Sequence, residues 1–221
     1  IEMRVTRLPM SNVERSNFIS SYKPGLILFI VIYVFLTIFR DIRDNFAADI
    51  WREVGLGNQP SVFTATEIPI TLFVLILMGS MILIKNNQKA FVITQYIIIL
   101  GFILAGTSSF LFIQGLIGPF LWMTLVGLGL YIGYIPFNCI LFDRMIATFR
   151  VTGNVGFLMY LADSFGYLGS VSVILIKTVF HFKIHWSVLY SWGVVGLSIF
   201  GVIGSVLALK YFNKKYQLIF H

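Results

Sequence analysis

Long apolar runs separated by short polar stretches dominate the chain. Six runs are each long enough to form a helix across a hydrocarbon core of ~30 Å at ~1.5 Å per residue. They extend from Pro24 to about Asn45, Ser61 to Ile84, Ala90 to Ile113, Pro119 to Phe142, Gly153 to about Phe180, and Trp186 to Leu209. The first is expected to continue as helix to Trp51. Lipid offers the backbone no hydrogen-bond partners, so such runs predict helices. None shows the alternation of a membrane barrel strand. The pattern predicts an all-α fold: an integral membrane six-helix bundle over 24–209, after a cytoplasmic linker at 1–23 and before a basic cytoplasmic tail at 210–221. In the linker, Ser11-Asn12-Val13-Glu14 has the capping-box pattern and predicts a short amphipathic helix to about Tyr22. A plain linker without a helix fits the same residues.

Small residues recur at helix-packing spacing. Gly129 and Gly133 form a GxxxG pair, Ala162, Gly166 and Ser170 make a ladder, and Gly201 and Ser205 repeat the spacing. Pro136 lies inside the fourth run and is expected to kink it, freeing the Ile132 carbonyl. The six runs divide into two triplets, 24–113 and 119–209. Gly57-Asn58 is followed by Glu67 at the spacing with which Gly153-Asn154 is followed by Asp163, and Trp51-Arg52 is similar to Phe149-Arg150. The two three-helix units have the form of an inverted-topology repeat.

Composition sharpens the picture. The chain is 58% hydrophobic and 11% charged, with a mean hydropathy of +0.90. A soluble domain carries about 25% charged residues. The net charge of +7 would suit a nucleic-acid partner in a soluble protein. Here the basic residues sit between apolar runs, where they set orientation instead. With both termini in the cytoplasm, the inner segments carry Arg4, Arg7, Arg15, Lys23, Lys85, Lys89, Arg144, Arg150, Lys210, Lys214 and Lys215. The outer side carries Arg40, Arg43, Arg52, Lys177 and Lys183. The lone Cys139 lies in an apolar run and reads as a packing residue.

Charges inside spans are costly and need a reason. The uninterrupted apolar run from Gly25 to Phe39 covers only ~22 Å of helix, so Arg40, Asp41, Arg43, Asp44 and Asn45 fall at the edge of the hydrocarbon or within it. Arg40 and Asp44 are one turn apart and can pair. Asp41, Asn45 and Asp49 form a second ladder near Arg52. This segment suits the wall of a solute or ion cavity, and equally a helix that leaves the bilayer early. Glu67 is either a coupling carboxylate or an acid favoured by a helix start. Asp163 lies about ten residues into the fifth run, where an acid must be neutral or partnered. Asn138 and Gln95 could bond a ligand or another helix, and Tyr131, Tyr134 and Trp122 could line a cavity or pack. His181 and His185 lack a third ligand, so no metal site is expected. Ser170 has no histidine base at matching depth. No enzyme activity and no cofactor are expected.

Six spans with both termini inside, a basic lead-in helix, two nested triplets and the Asp143-Arg144 pair after the fourth span resemble the C-terminal half of a major facilitator superfamily transporter. The run Arg40-Asp41-Ile42-Arg43-Asp44-Asn45-Phe46-Ala47-Ala48, with Met10-Ser11-Asn12-Val13-Glu14-Arg15 before it, is similar to an uncharacterised bacterial family of major-facilitator-like membrane proteins. The superfamily motif Gly-x-x-x-Asp-Arg-x-Gly-Arg-Lys is not intact at Met78–Lys89. The resemblance implies a bacterial inner-membrane location and an N-terminal six-span half of the same polypeptide. It also implies a small-solute site between the halves, with ion or proton coupling. On that reading Arg40 and Arg43 attract an anionic or zwitterionic solute, Asp163 exchanges a proton, and Tyr131, Tyr134 and Asn138 line the cavity with Glu67 nearby. The lipid bilayer is the other partner, and no nucleic acid is expected. The alternative function is a non-transporting membrane scaffold or assembly subunit that docks a partner through Arg40–Arg52.

Overall fold

The computed structural model describes residues 11–151, 154–180 and 185–220, and every regular element among them is a helix. The elements are α1 (Asn12–Asn45), α2 (Ala47–Glu53), α3 (Ser61–Ser80), α4 (Asn87–Ile113), α5 (Pro119–Pro136), α6 (Phe142–Phe149), α7 (Val155–Phe180) and α8 (Trp186–Phe220). Six stretches, on α1, α3, α4, α5 with α6, α7 and α8, are long and apolar enough to cross a membrane. Exposed residues on them include Leu72, Ile76, Leu100, Leu168, Ile199 and Ile203, as a lipid-facing exterior requires. Arg4, Arg7, Gly153, His181, Lys183 and His221 lie outside the described residues.

The capping box at the start of α1 is formed. Ser11 N donates to Glu14 Oε2 at 2.7 Å, and Glu14 N donates to Ser11 Oγ at 3.3 Å. The helix does not end near Tyr22, however. It runs unbroken past Pro24, so the lead-in and the first span are one rod of 34 residues. Proline removes one backbone donor there, and its fixed φ is compatible with a helix. Lys215 Nζ on α8 donates to the nearby Ser21 carbonyl at 2.9 Å. At the other end the expected continuation to Trp51 is interrupted. Phe46 leaves helical geometry at φ −110°, and α2 restarts the helix after it. α3 ends at Ser80 with one 3₁₀ turn, Met81–Leu83. α8 continues well past Leu209, so the basic tail is helical to Phe220.

α4 packs against α5 on one side and α8 on the other, while α1 packs against α7, α8 and α5. The GxxxG pair makes a seam of direct backbone contact. A Cβ added at Gly101 would lie 2.6 Å from Gly129 O and 2.9 Å from Gly133 N, so the α4 and α5 backbones touch through glycine. Gly166 lies against Thr37 of α1, and Gly201 against Phe102 of α4. Phe29 of α1 stacks on Phe212 of α8 with ring centroids 4.9 Å apart, and meets Phe91, Phe137 and Phe142 edge-on. α3 and α7 lie at the rim of this core, α3 against α5 and α7 against α1. Their apolar windows are 22% and 17% buried, against 44–56% for the other spans.

Pro136 bends the chain register as well as removing a donor. The five residues after it, Phe137–Leu141, form a π-helical turn before α6 resumes regular helix. A wide turn of this kind is how a helix absorbs a missing i→i−4 bond without breaking, and it often marks a functional position. Asn138 sits in it. So does Cys139, which is exposed rather than packed.

Candidate functional site

The polar side chains of α1 form a stripe. Tyr33, Thr37, Arg40 and Asp44 recur at i, i+4, i+7 and i+11, which places them on one helix face over ~17 Å. Two groups of residues gather around the ends of this stripe.

The group nearer the middle of α1 centres on Tyr33, 1% exposed. Its hydroxyl donates to Asp163 Oδ1 of α7, and it accepts from Asn138 Nδ2 of the π-turn after α5 at 3.1 Å. Three helices are thus tied at one phenol. The Tyr33 ring stacks on Tyr134 with centroids 5.3 Å apart, and the Arg40 guanidinium lies 3.9 Å from the centroid of the Tyr134 ring. Arg40 also pairs with Asp41, its Nε donating to Oδ1 at 2.9 Å. The expected Arg40–Asp44 pair is therefore not formed. Tyr134 offers Arg40 its π face, which turns the guanidinium toward its own neighbour instead. Asp163 makes no ion pair among the described residues, and the Tyr33 hydroxyl is the partner its carboxylate has.

The group at the end of α1 centres on Arg43, whose side chain is 3% exposed. Its Nη2 donates to Glu67 Oε1 of α3 at 2.7 Å and to the Met123 carbonyl of α5 at 3.3 Å. Its Nη1 donates to Asp44 Oδ1 at 3.3 Å. Tyr131 Oη of α5 donates to the second Asp44 oxygen at 2.9 Å. Gly127 makes room for the guanidinium: a Cβ there would lie 2.6 Å from Arg43 Cζ. A buried charge needs such partners, because leaving it unpaired costs several kcal/mol; the Arg43 Nε is nonetheless buried without a hydrogen-bond partner. These residues border a cavity of about 290 Å³ that Trp51 and Phe63 also line.

The remaining expectations sort by place. Asn45 Nδ2 bonds the Asp41 carbonyl of its own helix at 2.8 Å, so the second ladder is local. Asp49 is held by Arg52 at 3.3 Å and by Lys177 of α7 at 3.1 Å. Gln95 is buried and reaches only the Phe91 carbonyl of its own helix, at 3.5 Å, rather than joining two helices. Trp122 is core: it stacks on Phe112 and its Nε1 donates to Ser109 Oγ at 3.1 Å. Among the described residues no group of His, Cys, Asp and Glu has the form of a metal site.

Residues 1–215 match a family of unknown function, DUF5690. The chain belongs to that family. No curated protein and no solved structure matches it. The family match is to DUF5690, and the likeness to the major facilitator superfamily remains one of span number and charge pattern. In this DUF5690 chain, Tyr33 and Gly127 are the site residues that the sequence reading passed over. Tyr33 looked like one more aromatic in an apolar run, yet the stripe Tyr33-Thr37-Arg40-Asp44 was there to be counted. Gly127 carries no such signal, since only the fold brings Arg43 to it.

Proposed function

We propose that this protein is a secondary transporter that moves a small solute by alternating access, with ion or proton coupling. The observation that supports this most directly is Asp163. It is an acid within a membrane-spanning helix, bonded to a tyrosine hydroxyl and not to a cation among the described residues. Ionisable groups at that depth are expensive and mark ion or proton paths by default. Its place adds to the argument: Tyr33 links it to Asn138 in the π-turn of α5, an element able to change its hydrogen bonding. In this reading Asp163 takes up and releases a proton while Tyr33 and Asn138 hold it. The stripe on α1 forms one wall of the path. The sparsely buried α3 and α7 meet an N-terminal six-span half, which supplies the opposite wall. The bilayer is then the bacterial inner membrane, with both termini in the cytoplasm.

The scaffold alternative requires the Arg40–Arg52 segment to be free for a partner. Its charges are largely engaged within the chain, Arg40 by Asp41 and Tyr134, Arg43 by Glu67 and Asp44, and Asp49 by Lys177. This favours transport. The test is flux in proteoliposomes of the full-length protein under an imposed proton gradient. Asp163→Asn is expected to abolish gradient-driven accumulation while leaving folded protein in detergent. Unchanged accumulation would remove the proton role.

A further inference from the structure

The cavity beside Arg43 shows its solute a sign of charge opposite to the one the arginines suggest. Two arginines in an apolar segment read, on sequence, as bait for an anion. The geometry engages both of them with partners in the chain, although Arg43 still borders the cavity. Arg43 is 3% exposed, and its guanidinium is held by Glu67, Asp44 and the Met123 carbonyl. Arg40 lies over the Tyr134 ring and is paired with Asp41. The carboxylates, by contrast, face open space. The side chain of Asp44 is 40% exposed and that of Glu67 is 45% exposed, and both border the cavity of about 290 Å³. Two carboxylates against one guanidinium leave one net negative charge there. Three aromatic residues, Trp51, Phe63 and Tyr131, make up most of the rest of the wall, with Ala47 and Met123. Aromatic faces attract cations and offer an anion nothing. A volume near 300 Å³ is the lower end of the range for small-molecule sites.

We propose that this cavity binds a small organic monocation of the ammonium class. The inference rests on the transporter reading for its role, since it names the solute class of that path. The recognition itself rests on the cavity alone. The ammonium would be paired by Asp44 and Glu67 and enclosed by the three rings, while Arg43 sits between the two carboxylates and bonds one oxygen of each. Asp163, which makes no ion pair among the described residues, would be the next station, reached at Tyr33 of the α1 stripe.

The experiment is isothermal titration of the purified full-length protein with tetramethylammonium, ethylammonium and acetate, paired with flux of the same probes in proteoliposomes. Asp44→Asn leaves the Arg43–Glu67 pair in place and removes the net charge, and Tyr131 can still donate to the amide oxygen. The expected result is binding of the ammonium probes over acetate, at least tenfold weaker in Asp44→Asn. Asp44→Glu, which keeps the charge, is expected to retain most of the affinity, and this separates charge from fold. Preference for acetate overturns the proposal. So does failure of both ammonium probes to bind folded wild-type protein, or an affinity that Asp44→Asn leaves unchanged. Ammonium binding without flux upholds the cation site and overturns the transporter reading. Flux of acetate does the reverse.

Discussion

Glu53 is an exposed acid just past the membrane-spanning part of α1, and it caps a helix far away in sequence. Its carboxylate accepts from Trp186 N at 2.9 Å, Ser187 N at 2.8 Å and Ser187 Oγ at 2.8 Å, at the start of α8. A negative charge at a helix N-terminus satisfies free amides and meets the positive end of the dipole. Slight burial works against the charge. The bonds from Ser187 and Trp186 outweigh it and hold the Glu53 pKa below its ordinary 4.5. A lowered acid pKa stabilises the fold above the unfolded value, and that contribution fades as pH falls through the lowered folded value. Glu53→Gln is therefore expected to cost at most about 1 kcal/mol near neutral pH, because the site is solvent-screened. The loss should vanish once the pH falls below the lowered folded value, read as thermal stability in detergent across pH. A cost independent of pH would mean the contact is steric and not ionic. At this scale the sequence was partly legible. The acids and arginines announced themselves as charges in apolar runs. Their partners did not, because the Arg43–Glu67 and Tyr33–Asp163 bonds join residues on different helices.

Among the elements, the α4–α5 seam is the one most sharply fixed by glycine. Gly101 faces backbone atoms of Gly129 and Gly133, which cannot swing aside as a side chain can. Gly101→Val is expected to destabilise the folded protein by about 1–3 kcal/mol or more, as overpacking does. The measurement is the midpoint of thermal unfolding in detergent. Gly79→Ala, where an added Cβ meets nothing within 4 Å, serves as the control and should leave the midpoint nearly unchanged. The six spans were readable because lipid demands long apolar helices, and that demand is written in every run. Their ends were less so. Leu209 looked like a boundary because lysines follow, yet Lys215 is engaged by Ser21 and α8 continues to Phe220. Tyr22 looked like a boundary because Pro24 follows, yet neighbouring α8 supports the helix through it. A disturbance of the helix at Pro136 was readable, but its form as a π-turn and the bond it gives Asn138 with Tyr33 depend on how the helices pack.

Across the whole molecule, charge is sorted along the bundle axis. Arg15, Lys23, Lys85, Lys89, Arg144, Arg150, Lys210, Lys214 and Lys215 lie at one end of the helices, against Glu14 and Asp143. Arg40, Arg43, Arg52 and Lys177 lie toward the other, among Asp41, Asp44, Asp49, Glu53 and Glu67. In the proposed transporter the first end faces the cytoplasm, as the positive-inside rule would have it. Between the ends runs the α1 stripe from Asp44 to Tyr33, joined by Tyr131, Tyr134, Asn138 and Asp163. The central claim is that this stripe lines a path which opens to one side of the membrane at a time. Single cysteines at Asp41, Asn45, Asn138 and Asp163 of the full-length protein, in a background lacking the exposed Cys139, test it by membrane-impermeant labelling from each side. The account predicts labelling of Asn138 and Asp163 that shifts from one side to the other when tetramethylammonium is added. Labelling from one side alone, unchanged by tetramethylammonium, ethylammonium or acetate, would contradict it and leave the charges a structural role.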